Sequence, residues 1–305
     1  MSEWQAWVGQ EEELNDHVGE GLVARWLATL NRAAPGDGAV PQALHWCLCP
    51  PQAPTVQLGL DGHPLRDDSP TSFLPPVPLP RRMWASSKVE FQSALRIGDN
   101  VTRRSRIASV TEKQGGSGRL VFVDVTHETF AAGTLAVREV QSIVYRDAAP
   151  VGVPPVPPPP SGASFDPAGW DAHRSLTPSE PLLFRYSALT FNSHRIHYDA
   201  PYACGEEGYR GLVVHGPLLA TLLLDLAQRS FGDNALRHFT FRGISPAIAR
   251  EELHLVLRSA GETIELGAFG GDGRPVMSAS ASMNQQRRDL LVGSRIRPLD
   301  HAATN

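Results

Sequence analysis

Chemistry is concentrated in two neighbouring stretches, Phe191-Asn192-Ser193-His194-Arg195-Ile196-His197-Tyr198-Asp199 and Gly211-Leu212-Val213-Val214-His215-Gly216-Pro217. The first places two histidines, an Asn, an Arg and an Asp within eight positions. Imidazole titrates near neutrality and can take or give a proton there. The second runs into a helix start built on Gly and Pro, where unpaired backbone amides can hold a developing negative charge. Together they read as an active site for acid/base chemistry beside an anion site.

The spacing at that start predicts Pro217 as first helical residue and Gly216 as its cap. A Gly cap offers no side-chain oxygen, so the Gly216 and Leu218 N–H groups are left for a ligand oxygen such as a thioester carbonyl. Taken alone, Val-His-Gly-Pro serves equally as a water-solvated start of a helix. From Pro217 onward Leu218, Leu219, Leu222, Leu223 and Leu226 recur at helical spacing, which buries one face.

The elements that must position these residues follow a pattern that repeats. An amphipathic helix is expected from Asn15 or Asp16, carrying Val18, Leu22, Val23, Trp26, Leu27 and Leu30, and ending before Pro35. Residues 35–87 are rich in Pro, Gly and polar turns and read as an ordered excursion, because Trp46, Phe73, Leu74, Leu79 and Trp84 need burial. Strand-like runs follow at Val89–Ile97, Val101–Val110, Leu120–Phe130 and Leu135–Tyr145. Val151–Pro160 is almost entirely Pro and Val, a semi-rigid polyproline spacer. Beyond it the helix from Pro217 precedes runs at Arg237–Arg242, Glu252–Ser259, Thr263–Phe269 and Val276–Met283. The expected division is an N-terminal unit over 1–148, a Pro-rich linker over 149–180 and a C-terminal unit over 181–305 that carries the one working site.

Composition bounds the rest. A chain of 305 residues fits one large or two ordinary domains. Its formal net charge of −4, without a basic run, excludes a nucleic-acid footprint. No apolar stretch approaches a membrane span and residues 1–13 are acidic and polar, so a soluble cytoplasmic protein is expected. Three cysteines, with Cys47 and Cys49 lacking a second Cys/His pair, indicate neither a disulfide framework nor a zinc set.

The segment Tyr186–Asp199 with Gly211–Pro217 resembles the hydratase segment of the double-hotdog, MaoC-like thioester dehydratases. Within them it is most similar to the branch of mesaconyl-C4-CoA (3-methylfumaryl-CoA) hydratases and type 2 hydroxyacyl-thioester dehydratases. Asp61-Gly62-His63-Pro64 and Phe73–Trp84 carry the likeness into the N-terminal half. The resemblance implies an α+β double hotdog, in which each half is a long helix wrapped by a curved antiparallel sheet and the two sheets are joined side by side. It also implies a hydro-lyase acting on enoyl or 3-hydroxyacyl-CoA, with no metal or redox cofactor.

Related R-specific hydratases use an Asp, an Asn two positions on and a His three further along, which fall here on Asn192, His194 and His197. An amide cannot take and release a proton at neutral pH, so either His194 or Asp199 must replace the acid. The implied catalytic roles are His197 as base, Asn192 orienting water, His194 shuttling the proton or holding His197 in one tautomer, and the Gly216 N–H binding the enolate oxygen. Arg195, Asp199, His215 and Leu218 are expected substrate contacts; His215, beside Val214, taken alone reads first as a packed core histidine. Arg81, Arg82, Arg185 and Arg195 are cations suited to CoA phosphates or a substrate carboxylate, and each taken singly reads first as an ordinary surface or ion-pair residue. A carboxylated enoyl-CoA such as mesaconyl-C4-CoA leads, giving a citramalyl thioester. A 3-hydroxyacyl-thioester dehydratase of fatty-acid synthesis and a non-catalytic acyl-thioester-binding protein are the alternatives. Homodimer formation is compatible with this fold.

Overall fold

The computed structural model describes residues 3–115, 118–148 and 156–284. The N-terminal half supplies β1 (Glu11–His17), α1 (Glu20–Thr29), β2 (Arg81–Phe91), β3 (Asn100–Gly115), β4 (Gly118–Ala131) and β5 (Thr134–Arg146). The C-terminal half supplies β6 (Ala172–Leu176), α2 (Glu180–Thr190), α3 (Ala200–Gly205), α4 (Gly216–Phe231), β7 (Leu236–Gly243), β8 (Leu253–Ala260), β9 (Thr263–Gly270) and β10 (Pro275–Met283). The strands form one ten-stranded antiparallel sheet in the order β1-β3-β4-β5-β2-β7-β10-β9-β8-β6. The halves meet where β2 pairs with β7, from Ser86 opposite Arg242 to Glu90 opposite His238. Helices lie against this sheet in each half, and the fold is a double hotdog.

α4 is buried nearly all round: Leu218, Leu223, Leu224 and Leu226 are wholly inaccessible. They share one core with Val23, Trp26 and Leu27 of α1 and with Val89 and Phe91 of β2. Each buried leucine contributes about 2 kcal/mol, enough to lodge a charge on the same helix. That charge is Asp225, wholly buried and matched by Arg32 at 2.9 Å, Arg174 at 2.7 Å and Arg229 at 2.8 Å.

Several expectations need correction. The first helix does not begin at Asn15 or Asp16: residues 11–17 form the edge strand β1, paired with β3 from Glu11 opposite Arg106 to His17 opposite Asn100. The run Glu-Glu-Glu-Leu-Asn alternates across an edge with charges outward, a pattern too polar to announce a strand. α1 is therefore only ten residues long. β2 begins at Arg81, eight residues before the predicted run, because ladder bonds to β5 carry Ser86, Ser87 and Lys88 where side-chain alternation fails. It ends at Phe91, and residues 93–97 are loop. α2 was not foreseen; Ser179 caps it, accepting the Leu182 N–H.

Of the expected spacer, residues 149–155 lie outside the described residues. From Val156 on the chain is tied down, with the Val156 N–H bonded to Gly208 O at 2.8 Å and Arg210 donating to Pro157 O at 2.8 Å. Ala172–Leu176, within the expected linker, is the edge strand β6. Among the described residues no helix is long and apolar enough to cross a membrane.

Candidate active site

α2 ends at Phe191 in the left-handed conformation (φ 50°), which turns the chain sharply into the polar stretch. Asn192 Oδ1 then accepts the His194 N–H at 2.9 Å, an Asx turn that commits the side-chain oxygen. A single 3-10 turn over Arg195–His197 follows, with Ile196 and His197 buried. The second stretch is held at both edges: Val213 N–H bonds Ile196 O and Val214 N–H bonds Ala247 O, each at 2.9 Å. The first of these bonds joins the two polar stretches.

His197 lies at the centre. Its Nδ1 sits 2.7 Å from Val213 O, so Nδ1 carries the proton and Nε2 presents a lone pair. Its ring stacks on His215 at 3.5 Å between centroids, and the His194 ring stands edge-on at 5.5 Å. Burial, with His215 and His194 beside it, holds the His197 imidazole well below its ordinary value, so it is neutral at physiological pH. His215 is 1% exposed and contacts Ser187 Oγ through Nε2 at 2.8 Å. Burial, then His194, pushes it down to about 3.

α4 starts one residue earlier than expected. His215 is the cap, Gly216 the first helical residue and Pro217 the second. The Gly216 and Leu218 N–H groups belong to the first turn and have no intrahelical acceptor. Gly216 abuts the other half, since a Cβ there would lie 3.8 Å from Trp84 O of β2.

A cavity of about 1340 Å³ opens along this seam, lined by Asn192, His194, His197 and Gly216 from one half and by His63, Arg82 and Trp84 from the other. All four expected catalytic residues face it. The four expected substrate contacts do not line it. Leu218 is core, and His215 stands behind His197 as a stacking platform. Arg195 donates to Asp199 at 2.7 and 3.0 Å and to Leu60 O at 2.9 Å, and lies over the Tyr202 ring. Asp199 also caps α3, accepting Tyr202 N–H at 3.1 Å. Both its oxygens are committed, and Asp199 does not line the cavity. Arg81 is likewise spent, in a buried pair with Glu207.

Two groups escaped the sequence reading. Glu207 approaches His194 Nε2 at 3.7 Å and accepts from Tyr202 at 3.2 Å. Burial raises its carboxyl, but His194 and Arg81 outweigh that and lower it. No spacing signal marks it. Asp61-Gly62-His63, noted only for its likeness, crosses from the N-terminal half: the His63 ring lies 4.1 Å from the His194 ring and its Nδ1 2.9 Å from Asp61 Oδ2. Donor atoms of Asp61, His63 and His194 all lie within 4.8 Å of one another, a spacing a cation can bridge.

The sequence pattern of hydroxyacyl-thioester dehydratase type 2 matches residues 42–249. The chain is 41% identical to mesaconyl-C(4)-CoA hydratase of Chloroflexus aurantiacus over 92% of its own length and 98% of that protein's. It is 39% identical to the mitochondrial hydroxyacyl-thioester dehydratase type 2 of Schizosaccharomyces pombe over 88 residues, 28% of this chain and 29% of that one. A MaoC-like dehydratase from Phytophthora capsici superposes with a TM-score of 0.66 at 12% identity, covering 91% of this chain and 96% of that one. A Mycobacterium tuberculosis protein described as a double hotdog gives 0.56 at 12%, with the same coverage. At that identity the two structures speak for the fold alone.

Proposed function

We propose that this chain, which belongs to the hydroxyacyl-thioester dehydratase type 2 family, is a hydro-lyase that adds water across the double bond of an enoyl-CoA or removes it from the 3-hydroxyacyl-CoA. One observation carries the reading: a neutral His197, its Nε2 free, shares a cavity with the Gly216 N–H at the start of α4. β-Hydration needs a base at water and a donor at the thioester oxygen. His197 Nε2 takes the proton as the water oxygen attacks Cβ. The Asn192 amide nitrogen orients that water, and the Gly216 N–H, at the positive end of α4, holds the enolate oxygen. His194, between His197 and Glu207, passes protons.

The acyl group is read as mesaconyl-C4, giving a citramalyl thioester. The relative named for that substrate spans nearly the whole chain, and Arg82 offers the cavity a cation for a second carboxylate. Trp46, Trp84 and Val137 wall the same cavity and support a second reading, a dehydratase of plain 3-hydroxyacyl chains. The proposal places the enzyme in the cytoplasm, where CoA thioesters are handled. Both cavity walls come from one chain, so pairing into a homodimer would add no catalytic group.

Loss of enoyl absorbance with the CoA thioesters of mesaconate, itaconate and crotonate tests this. Mesaconyl-C4-CoA should turn over fastest, and His197→Ala should slow it by about 10²- to 10⁴-fold with the fold intact by circular dichroism. A wild-type protein inert on all three is a binding module, and the hydro-lyase reading fails.

A further inference from the structure

His63 enters the cavity from the half opposite His197. Asp61 fixes it twice: Oδ2 lies 2.9 Å from His63 Nδ1, and Oδ1 accepts the His63 N–H at 3.0 Å. With Nδ1–H given to the carboxylate, the Nε2 lone pair is the free end of the ring. The loop is bound to the histidine stretch it faces, through Arg195 N–H to Asp61 O at 2.9 Å and Ser193 Oγ to Gly62 O at 2.6 Å. Gly62 makes that approach by a backbone no side chain would allow: φ is +86°, and a Cβ would lie 2.0 Å from Ser193 O. Two loops from different halves are thus locked so that the His63 and His194 rings stand 4.1 Å apart.

This geometry answers a deficit in the proposed reaction. His197 has a backbone carbonyl on Nδ1 and two histidine rings as neighbours, and among the described residues no carboxylate lies within ion-pairing distance of it. Asn192 carries an amide that cannot take and release a proton at neutral pH, and Asp199 is committed to Arg195 and Tyr202. His63, flanked by Asp61, His194 and Arg82, lines the cavity with its Nδ1 hydrogen-bonded to a carboxylate. A carboxylate bonded to the far ring nitrogen holds the imidazole in one tautomer and steadies the imidazolium as it forms.

We propose that the Asp61–His63 pair is the second acid/base group of this site, delivering to Cα the proton that His197 removes from water. The inference rests on the hydro-lyase reading. Water's O–H bond breaks as the O–Cβ bond forms, and the proton goes to His197 Nε2. The π pair moves toward the thioester, whose oxygen takes the negative charge. The proton passes through His194, one ring nitrogen accepting and the other releasing, to His63 Nε2. That imidazolium, opposite Asp61, gives the proton to Cα as the enolate pair forms the new C–H bond. All three histidines end neutral, His194 in its other tautomer until it turns back, and one water has been added with no other reactant consumed. His63 handles the proton, and Asp61 is a positioning residue that acts through it.

The test compares His63→Ala, His63→Gln, Asp61→Asn and His197→Ala with wild type on the best enoyl-CoA of the three, each checked for thermal melting. The expected result for the first three is a kcat loss of about 10²-fold or more with KM for the thioester unchanged, the size of a lost acid/base group. Millimolar imidazole should restore saturable turnover to His63→Ala and none to Asp61→Asn. His63 variants at near-wild-type kcat, beside an inert His197→Ala, overturn the pair and leave the hydro-lyase reading standing. Loss confined to melting temperature or KM, without rescue by imidazole, also overturns it. Wild-type activity abolished by EDTA and restored by zinc or manganese makes Asp61, His63 and His194 a metal ligand set instead. A wild type inert on every thioester sinks both proposals together.

Discussion

Arg82 lies half-buried on β2, lining the cavity beside His63, with no carboxylate within ion-pairing distance among the described residues. A charge-assisted contact from such a cation to a substrate carboxylate is worth about 1.5–3 kcal/mol, or roughly one to two orders of magnitude in binding. Arg82→Met should therefore raise KM for mesaconyl-C4-CoA by about 10- to 100-fold and leave crotonyl-CoA, which lacks the carboxylate, unaffected. Equal losses on both substrates would move Arg82 to the CoA phosphates. The histidines were legible at this scale, because His194 and His197 are close in sequence and amid polar neighbours. The partners that tune them were not. Val213 O and Glu207 reach them through the fold alone, and an Arg read from sequence gives no sign whether it will be free, like Arg82, or spent, like Arg81 and Arg195.

Two segments build the site at the scale of elements, the start of α4 and the Asp61–His63 loop. The helix start was readable because Gly-Pro ahead of a leucine-rich period has few other meanings, although the cap proved to be His215. The loop was not, since residues 51–80 form no helix longer than a short 3-10 turn and no named strand, and periodicity has nothing to report there. Only Gly62 hints at the close approach. Its positive φ and the 2.0 Å clash a methyl would make with Ser193 O give Gly62→Ala two separate penalties. Strain of this kind costs about 1–3 kcal/mol, so the variant should melt lower and lose turnover together as the loop withdraws His63 from His194. A variant that melts lower yet keeps full kcat would show that the loop's position is irrelevant to the chemistry. β1 teaches the converse: a charged run at a sheet edge pairs by backbone alone, and its side chains concealed the strand.

At the scale of the molecule, one sheet spanning both halves makes the seam between β2 and β7 the place where the cavity forms, and the histidines gathered around and behind it are kept neutral by burial. Burial is the largest cause for each: His63 is pushed down to about 4, His215 to about 3, His197 well below its usual value, and His127, on the N-terminal sheet, to about 4. Their unfolded value is 6.5, so below it the unfolded chain binds protons that the native state refuses. Stability is then complete above that pH and falls as pH drops through the window between the two values. Each histidine adds a slope of about 1.4 kcal/mol per pH unit once the unfolded ring is protonated, and four in concert about 5.5. Depressed carboxylates reinforce the trend at lower pH, Asp61 reaching about 2 because His63 and His194 outweigh its burial. Urea unfolding midpoints should be level between pH 8 and 7 and then fall steeply toward pH 5. A midpoint that stays constant to pH 5 would mean that these rings are hydrated in solution, and the neutral His197 on which the proposed base depends would go with them.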